Sequence, residues 1–329
     1  MSRSGFSRRH ARKRRPGPRQ SVELGVRLGP VALPNPIVAA SGTFGHGDEV
    51  ARLCDPSELG AVTVKSLAAY EWPGNPAPRL HMTTAGMLNS VGLDGPGVEH
   101  WVAHELPALR ARGARVIASV WGRTVDDFGL AAKMLHPARA QLLAVEVNVS
   151  CPNLEDRSRM FAHAPEPTAA AVSAVAAARL DLPLFVKLSP NIADLTDVAG
   201  AALGAGATGL TLVNTVIGLL VDAERRRPVL GGGGGGLSGP AIKPVALRVV
   251  ADVARAYPGT PIIGTGGVTT GLDAVEMLMA GASAVGVGTA TFHDPRASLR
   301  IRDELAQWCE AHEVHRVADL VGALEVDDD

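Results

Sequence analysis

The chain has 329 residues, 46% of them apolar and only 4% aromatic, with a formal net charge of −1. That composition excludes a disordered polyelectrolyte and leaves room for two ordinary domains or one large aliphatic barrel. No apolar run reaches the ~18–20 residues a membrane span needs, and the three cysteines, Cys54, Cys151 and Cys309, lie too far apart for a four-cysteine iron–sulfur cluster or a closed zinc site.

The first twenty residues hold eight of the 32 basic side chains and no acid, which leaves 24 basic against 33 acidic residues beyond them. Such an arm cannot bury enough surface to fold, so residues 1–20 are expected to be a disordered, solvated basic segment. Contact with nucleic acid is the sharper but less favoured reading. The arm lacks the apolar stretch of a secretory signal, and an odd cysteine count fits a reducing cytoplasm. Residues 21–329 then read as a single folded domain.

Val22–Leu33 alternates apolar and polar residues around Gly29-Pro30 and predicts a short hairpin. Eight apolar strands follow, at Ile37–Gly42, Ala61–Leu67, Val116–Gly122, Leu142–Ser150, Leu184–Ser189, Gly209–Asn214, Pro261–Gly267 and Ala284–Ala290. Helical periodicity lies between them, over Val98–Arg112, Thr124–Leu135, Thr168–Leu180, Leu195–Gly204, Ala241–Tyr257, Thr270–Ala280 and Pro295–Glu310. Thr124, Thr168 and Thr270 suit helix starts, and Gly113 and Gly281 suit helix ends. Strands this continuously apolar are buried on both faces. Eight strand–helix units predict an α/β (β/α)₈ TIM barrel with the N-terminal β-hairpin as a cap, a doubly wound open sheet being the runner-up. Two long inserts, between Tyr70 and Gly97 and over Thr215–Gly239, are expected to be functional loops. The second carries the hexaglycine Gly231–Gly236, which reads as a flexible part of a lid rather than a dinucleotide fingerprint, because it does not join a strand to a helix.

In a barrel, chemistry sits at the C-terminal strand ends. Those positions carry Ser41, Lys65-Ser66, Ser119, Asn148 and Cys151, Lys187, Asn214-Thr215, Gly266-Gly267 and Gly288-Thr289. The stretch Val145–Asn153 is the most pointed, since Cys151-Pro152 ends the fourth strand and places a thiol between two amides, Asn148 and Asn153. A thiol there could act as base or nucleophile, or be a small core residue. Two lysines on buried strands imply a bound anion or an electron-rich ring, unless each has its own ion pair. The glycine pairs ending strands seven and eight suit a phosphate pocket or simple tight turns. His46, His81 and His163 lack paired ligand spacing, so no metal site is expected.

Taken together, Asn148-Val-Ser-Cys-Pro-Asn153, Lys65-Ser66, Gly74-Asn-Pro-Ala-Pro-Arg79, Met87-Leu-Asn-Ser-Val-Gly-Leu93, Val186-Lys-Leu-Ser-Pro190 and Gly236-Leu-Ser-Gly-Pro240 resemble the class 1 dihydroorotate dehydrogenases, above all the type B catalytic subunit. The resemblance runs in order from Val22 to Phe292. It implies a flavin mononucleotide (FMN) barrel that oxidises (S)-dihydroorotate to orotate in pyrimidine biosynthesis, with Cys151 removing the C5 proton. Cysteine rather than serine there separates class 1 from the membrane-associated class 2.

The same resemblance assigns flavin contacts to Ser41, Lys65, Ser66, Asn148, Lys187, Val213, Gly239, Gly266, Gly267, Gly288 and Thr289. Ser119 stands where the family commonly has a flavin-contacting asparagine. Substrate contacts fall to Lys65, Asn89, Ser90, Val91, Gly92, Leu93, Asn148, Asn153, Asn214 and Thr215. Asparagines suit a ring of alternating N–H and C=O groups, because one amide both donates and accepts. The family's glycine-rich loop after Cys-Pro-Asn is replaced by Leu154–Ala164, with charges of both signs close together. A paralogue acting on another dihydropyrimidine or cyclic imide, a non-catalytic flavin-binding barrel, and a flavin-free barrel forming a Schiff base on Lys65 or Lys187 are the competing readings. The resemblance also implies a homodimeric core and a separate iron–sulfur flavoprotein electron-transfer subunit, with a diffusible acceptor such as fumarate as the alternative.

Overall fold

The computed structural model describes residues 21–150 and 160–325. The basic arm, Cys151, Asn153 and residues 154–159 of the charged loop therefore lie outside the described residues.

The chain opens with an antiparallel hairpin, β1 (Val26–Leu28) and β2 (Val31–Leu33), turning at Gly29 with φ +62°. A Cβ on Gly29 would come within 2.9 Å of the Pro261 ring. Pro261 precedes a barrel strand, so the hairpin covers the N-terminal end of the barrel. Next come β3 (Ile37–Ala39) and β4 (Ala61–Thr63), then an excursion through β5 (Leu80–Thr83) and β6 (Gly86–Asn89). The chain returns through β7 (Val116–Val120), β8 (Leu142–Asn148), β9 (Leu184–Leu188) and β10 (Gly209–Leu212). A second excursion holds β11 (Val216–Gly218), β12 (Val221–Asp222), β13 (Arg227–Pro228) and β14 (Gly235–Ser238). Finally β15 (Ile262–Thr265) and β16 (Ala284–Val287) complete the set.

Strands β3, β4, β7 to β10, β15 and β16 close into one parallel barrel, each beside its predecessor and β16 beside β3. Closure rules out the open doubly wound sheet. Every residue of β7 and β9 is buried, as expected for strands with the barrel core on one face and helices on the other. Each ladder stops before the expected strand does: β3 ends at Ala39 rather than Gly42, and β4 at Thr63 rather than Leu67. The polar positions beyond those ends are released from the sheet and face the loops.

Helices occupy the predicted intervals. Thr124 and Thr270 each accept from the N3 backbone amide, and Asp127 and Asp273 complete capping boxes. Gly113 (φ +74°) and Gly281 (φ +116°) terminate helices in the left-handed conformation that glycine adopts at least cost. Thr168 is not a cap. The helix Pro165–Ala176 starts a turn earlier, with prolines supplying its first-turn geometry, and the Thr168 hydroxyl donates to the Phe161 carbonyl at 2.9 Å. Within the helical stretch 98–111, residues Trp101–Glu105 wind as a π-helix, which periodicity does not reveal.

The two long inserts meet in one antiparallel sheet, in the order β11-β14-β6-β5. This overturns the reading of the hexaglycine as slack chain. Gly235 and Gly236 belong to β14 at the centre of that sheet, and a Cβ on Gly236 would overlap the Thr215 hydroxyl. Glycine is there for close approach.

Candidate active site

A cavity of about 550 Å³ opens at the C-terminal mouth of the barrel, walled by the barrel loops and the insert sheet. Its size falls within the range of about 300–1,000 Å³ common for small-molecule sites. Ser41, Lys65, Ser66, Asn89 to Leu93, Asn148, Lys187, Val213, Asn214, Thr215, Gly239, Gly266, Gly267, Gly288 and Thr289 all line it. Ser119 does not. It is fully buried behind that wall, hydrogen-bonded to Ser66 and Glu146.

One end of the cavity is made of backbone. Gly266 (φ +132°) and Gly267 (φ +76°) turn out of β15, and a Cβ on Gly267 would stand 2.8 Å from the Lys243 nitrogen. Lys243 begins the helix Lys243–Ala256, so that helix N-terminus is brought hard against the glycine turn. Its positive end and free amides favour an anion. The Lys243 ammonium is occupied elsewhere, 2.7 Å from both Asp273 and Glu276. Burial opposes the Asp273 charge most strongly. Hydrogen bonds from Lys243, Thr269 and Thr270 outweigh it and hold the carboxyl at about 2. The Gly288–Thr289 turn lines the same cavity just before the short helix Ala290–His293.

The other end is made of side chains. Lys65 and Lys187 share the cavity, and neither has an ion-pair partner among the described residues. Burial first, then the Lys187 charge, push Lys65 down to about 8. His46, behind the wall, is also held below its ordinary value by burial and then by Lys65. Two cations that share a cavity and have no ion-pair partner among the described residues make a place for an anionic or electron-rich ligand.

The segment 89–93 lines the same cavity and is fixed by polar bonds. The Asn89 amide donates to the Gly236 carbonyl at 3.1 Å, and the Trp72 indole donates to the Gly92 carbonyl at 2.9 Å. Asn75 donates its amide to the Ser90 hydroxyl at 2.8 Å and its backbone N–H to Val91. Arg79 in turn donates to the Asn75 carbonyl at 2.6 Å and pairs with Asp94 at 3.0 Å. The Gly74–Arg79 motif therefore braces the cavity wall, a job its residue types do not announce. Asn75 and Ser150 line the cavity as well and were not anticipated. For Ser150, adjacency to the strand-ending cysteine was the available signal.

Of the other two thiols, Cys54 and Cys309 are buried, and burial pushes each up to about 11. They are inert packing groups. Among the described residues no helix is long and apolar enough to cross a membrane.

Comparison with known proteins agrees with this geometry. The family model described as dihydroorotate dehydrogenase matches residues 23–308. The chain is 44% identical to a protein of Alkaliphilus metalliredigens named dihydroorotate dehydrogenase B (NAD(+)), catalytic subunit, over 92% of this chain and 99% of that one. A Geobacter sulfurreducens protein of the same name is 41% identical over 93% of this chain and all of its own length. A Solibacter usitatus protein named putative dihydroorotate dehydrogenase A (fumarate) is 48% identical over 92% and 99%.

Proposed function

The chain belongs to the dihydroorotate dehydrogenase family, and from that premise we propose that it binds FMN in the barrel mouth and oxidises (S)-dihydroorotate to orotate there. The observation that carries this reading is a pair of lysines, Lys187 buried and Lys65 half-buried, without ion-pair partners among the described residues and sharing one cavity with a set of amides. The glycine turns and the helix N-terminus at Lys243 suit the cofactor's phosphate, and Lys187 suits its electron-rich ring edge. When bound, the flavin supplies a hydride acceptor.

The protein's own part is to hold the dihydropyrimidine flat and take its proton. Lys65 meets the substrate carboxylate, and Asn89, Asn148, Asn214 and the backbone of 90–93 meet the ring's amide edges, with Asn153 assigned to the same set. Cys151 takes the C5 proton, a role suited to a thiol whose pKa lies near working pH. The insert sheet excludes water from the reacting face.

For re-oxidation we propose an electron-transfer subunit carrying an iron–sulfur cluster and a flavin. Two relatives are named as NAD(+)-type catalytic subunits, and the fumarate named for a third marks the alternative acceptor. Exposed Met82, Ile217, Leu219 and Val221 on the second insert and its sheet are consistent with a homodimeric core.

Anaerobic titration of the purified yellow protein tests the substrate. Dihydroorotate should bleach the flavin within single turnovers, with dihydrouracil and dihydrothymine far slower. Faster bleaching by either of those two would reassign the substrate, and a colourless protein would reject the flavin.

A further inference from the structure

Glu146 lies inside the barrel on β8, 1% exposed, two residues before Asn148 and out of reach of the cavity. Both its carboxyl oxygens accept: Oε1 from the Ser119 hydroxyl at 3.0 Å and Oε2 from the Thr211 hydroxyl at 3.0 Å. Counting hydroxyl protons outward from it fixes the sense of every bond up to the cavity wall. Ser119 has one proton, and it is on Glu146. At the 2.9 Å contact with Ser66, Ser119 must therefore accept. Ser41 has likewise spent its proton on the Val64 carbonyl at 2.8 Å, and it stands 3.4 Å from Ser66. Ser66 thus gives its only proton to Ser119, the nearer acceptor, and can only accept from Asn148. The atom of Asn148 facing it at 3.1 Å is accordingly the nitrogen Nδ2.

That assignment turns the carbonyl Oδ1 of Asn148 the other way, where it accepts from the Ser150 N–H at 3.2 Å and from Asn214 Nδ2 at 3.5 Å. The Asn214 carbonyl is taken by the Thr215 N–H at 2.9 Å. From Asn214 through Asn148, Ser66 and Ser119 one proton at each step points inward, and the row ends on the Glu146 carboxyl.

We propose that Glu146 is a positioning residue for the reaction, reinforcing through Ser119 and Ser66 the sense in which the Asn148 amide, and with it Asn214, faces the bound pyrimidine. This rests on the functional reading above. The Ser150 and Thr215 N–H groups favour the same sense at their own ends of the row, and the hydroxyl relay adds to that preference at Ser66, where either end of an amide would otherwise serve. The serine at position 119 is part of the device. One hydroxyl relays a single direction, which an amide at that place need not do.

The test uses the flavin-loaded full chain and orotate, whose binding is read from the change in flavin absorbance without turnover. Ser119→Ala cuts the row while leaving Glu146 its Thr211 bond. Glu146→Leu removes the terminal acceptor with little change of volume. Each should weaken orotate binding about tenfold or more, with flavin content retained in Ser119→Ala. In turnover the loss should appear in KM more than in kcat. The double variant should bind orotate no worse than the weaker single one, because both changes break the same row. Should Glu146→Leu fail to fold, Ser119→Ala with Ser66→Ala provides the same cycle. Wild-type affinity in the variants, or losses that add in the double variant, would overturn the proposal while leaving the function intact. A wild-type chain that fails to bind orotate would remove the function and this inference together.

Discussion

The two ends of the cavity recognise their ligands by different means. The glycine end, at Gly266, Gly267 and the N-terminus of Lys243–Ala256, offers main-chain N–H groups whose positions are set by backbone conformation. The opposite end offers Lys65, Lys187, Asn89, Asn148 and Asn214, side chains whose positions depend on what braces them. A backbone site is damaged by adding atoms, a side-chain site by removing them. On the proposed function, substrate discrimination falls to the second end, and the first holds the cofactor's phosphate.

The largest effect that would break this division lies at the side-chain end. Cys151→Ser should keep the flavin and slow its anaerobic reduction by dihydroorotate at least ~10²-fold at neutral pH, the usual range for a lost general base. Stopped-flow reduction near the wild-type rate would remove the cysteine from its assigned role. At the backbone end, Gly267→Ala should cost about tenfold in flavin affinity. An alanine at φ +76° carries roughly 1–2 kcal/mol of strain, and its Cβ would press on Lys243 at 2.6 Å. Flavin content after dialysis checks it, and a full complement would mean the turn is not part of the cradle.

The smallest effect sharpens the comparison through pH. Lys65 is depressed to about 8 in the ligand-free chain by burial and then by Lys187. An anion beside it raises that value, so affinity for orotate is complete below pH 8. It should fall as pH rises above 8, by up to about tenfold per unit until the bound-state value is reached. Affinity measured by absorbance across pH 7–10 should show this slope in the wild type and lose it in Lys65→Met. Folding stability moves in the opposite sense. Burial of a charged Lys65 costs stability below pH 8, and that cost is relieved between pH 8 and the unfolded value near 10.5.

Much of this was legible in the sequence because barrel strands are buried on both faces and announce themselves as unbroken apolar runs. The polar residues at their ends then stand out, and Lys65, Asn148, Lys187 and Asn214 all line the cavity. Three things were not legible. The pairing of β6 with β14 joins residues roughly 150 positions apart, and no local pattern encodes it. The hexaglycine therefore looked slack, although Gly235 and Gly236 lie within a strand and a Cβ on either would meet a neighbour. The sense of the Glu146 row depends on which hydroxyl meets which, a property of register across β4, β7 and β8. Thr168 had the residue type of a cap, but Pro165 and Pro167 had already supplied the turn.

Near the N-terminal hairpin the two flanks of the domain are hydrogen-bonded to one another, which has a mechanical consequence. The Glu23 N–H donates to the His315 carbonyl and the Val317 N–H to the Glu23 carbonyl, each at 2.9 Å, and Leu324 is bonded to Met279 at the foot of its helix. Both flanks of the domain are thus riveted at the end away from the cavity. Tension applied through either flank is borne by that rivet before any strain travels to the rim, so a fusion partner or surface tether attached there loads the anchorage and spares the chemistry.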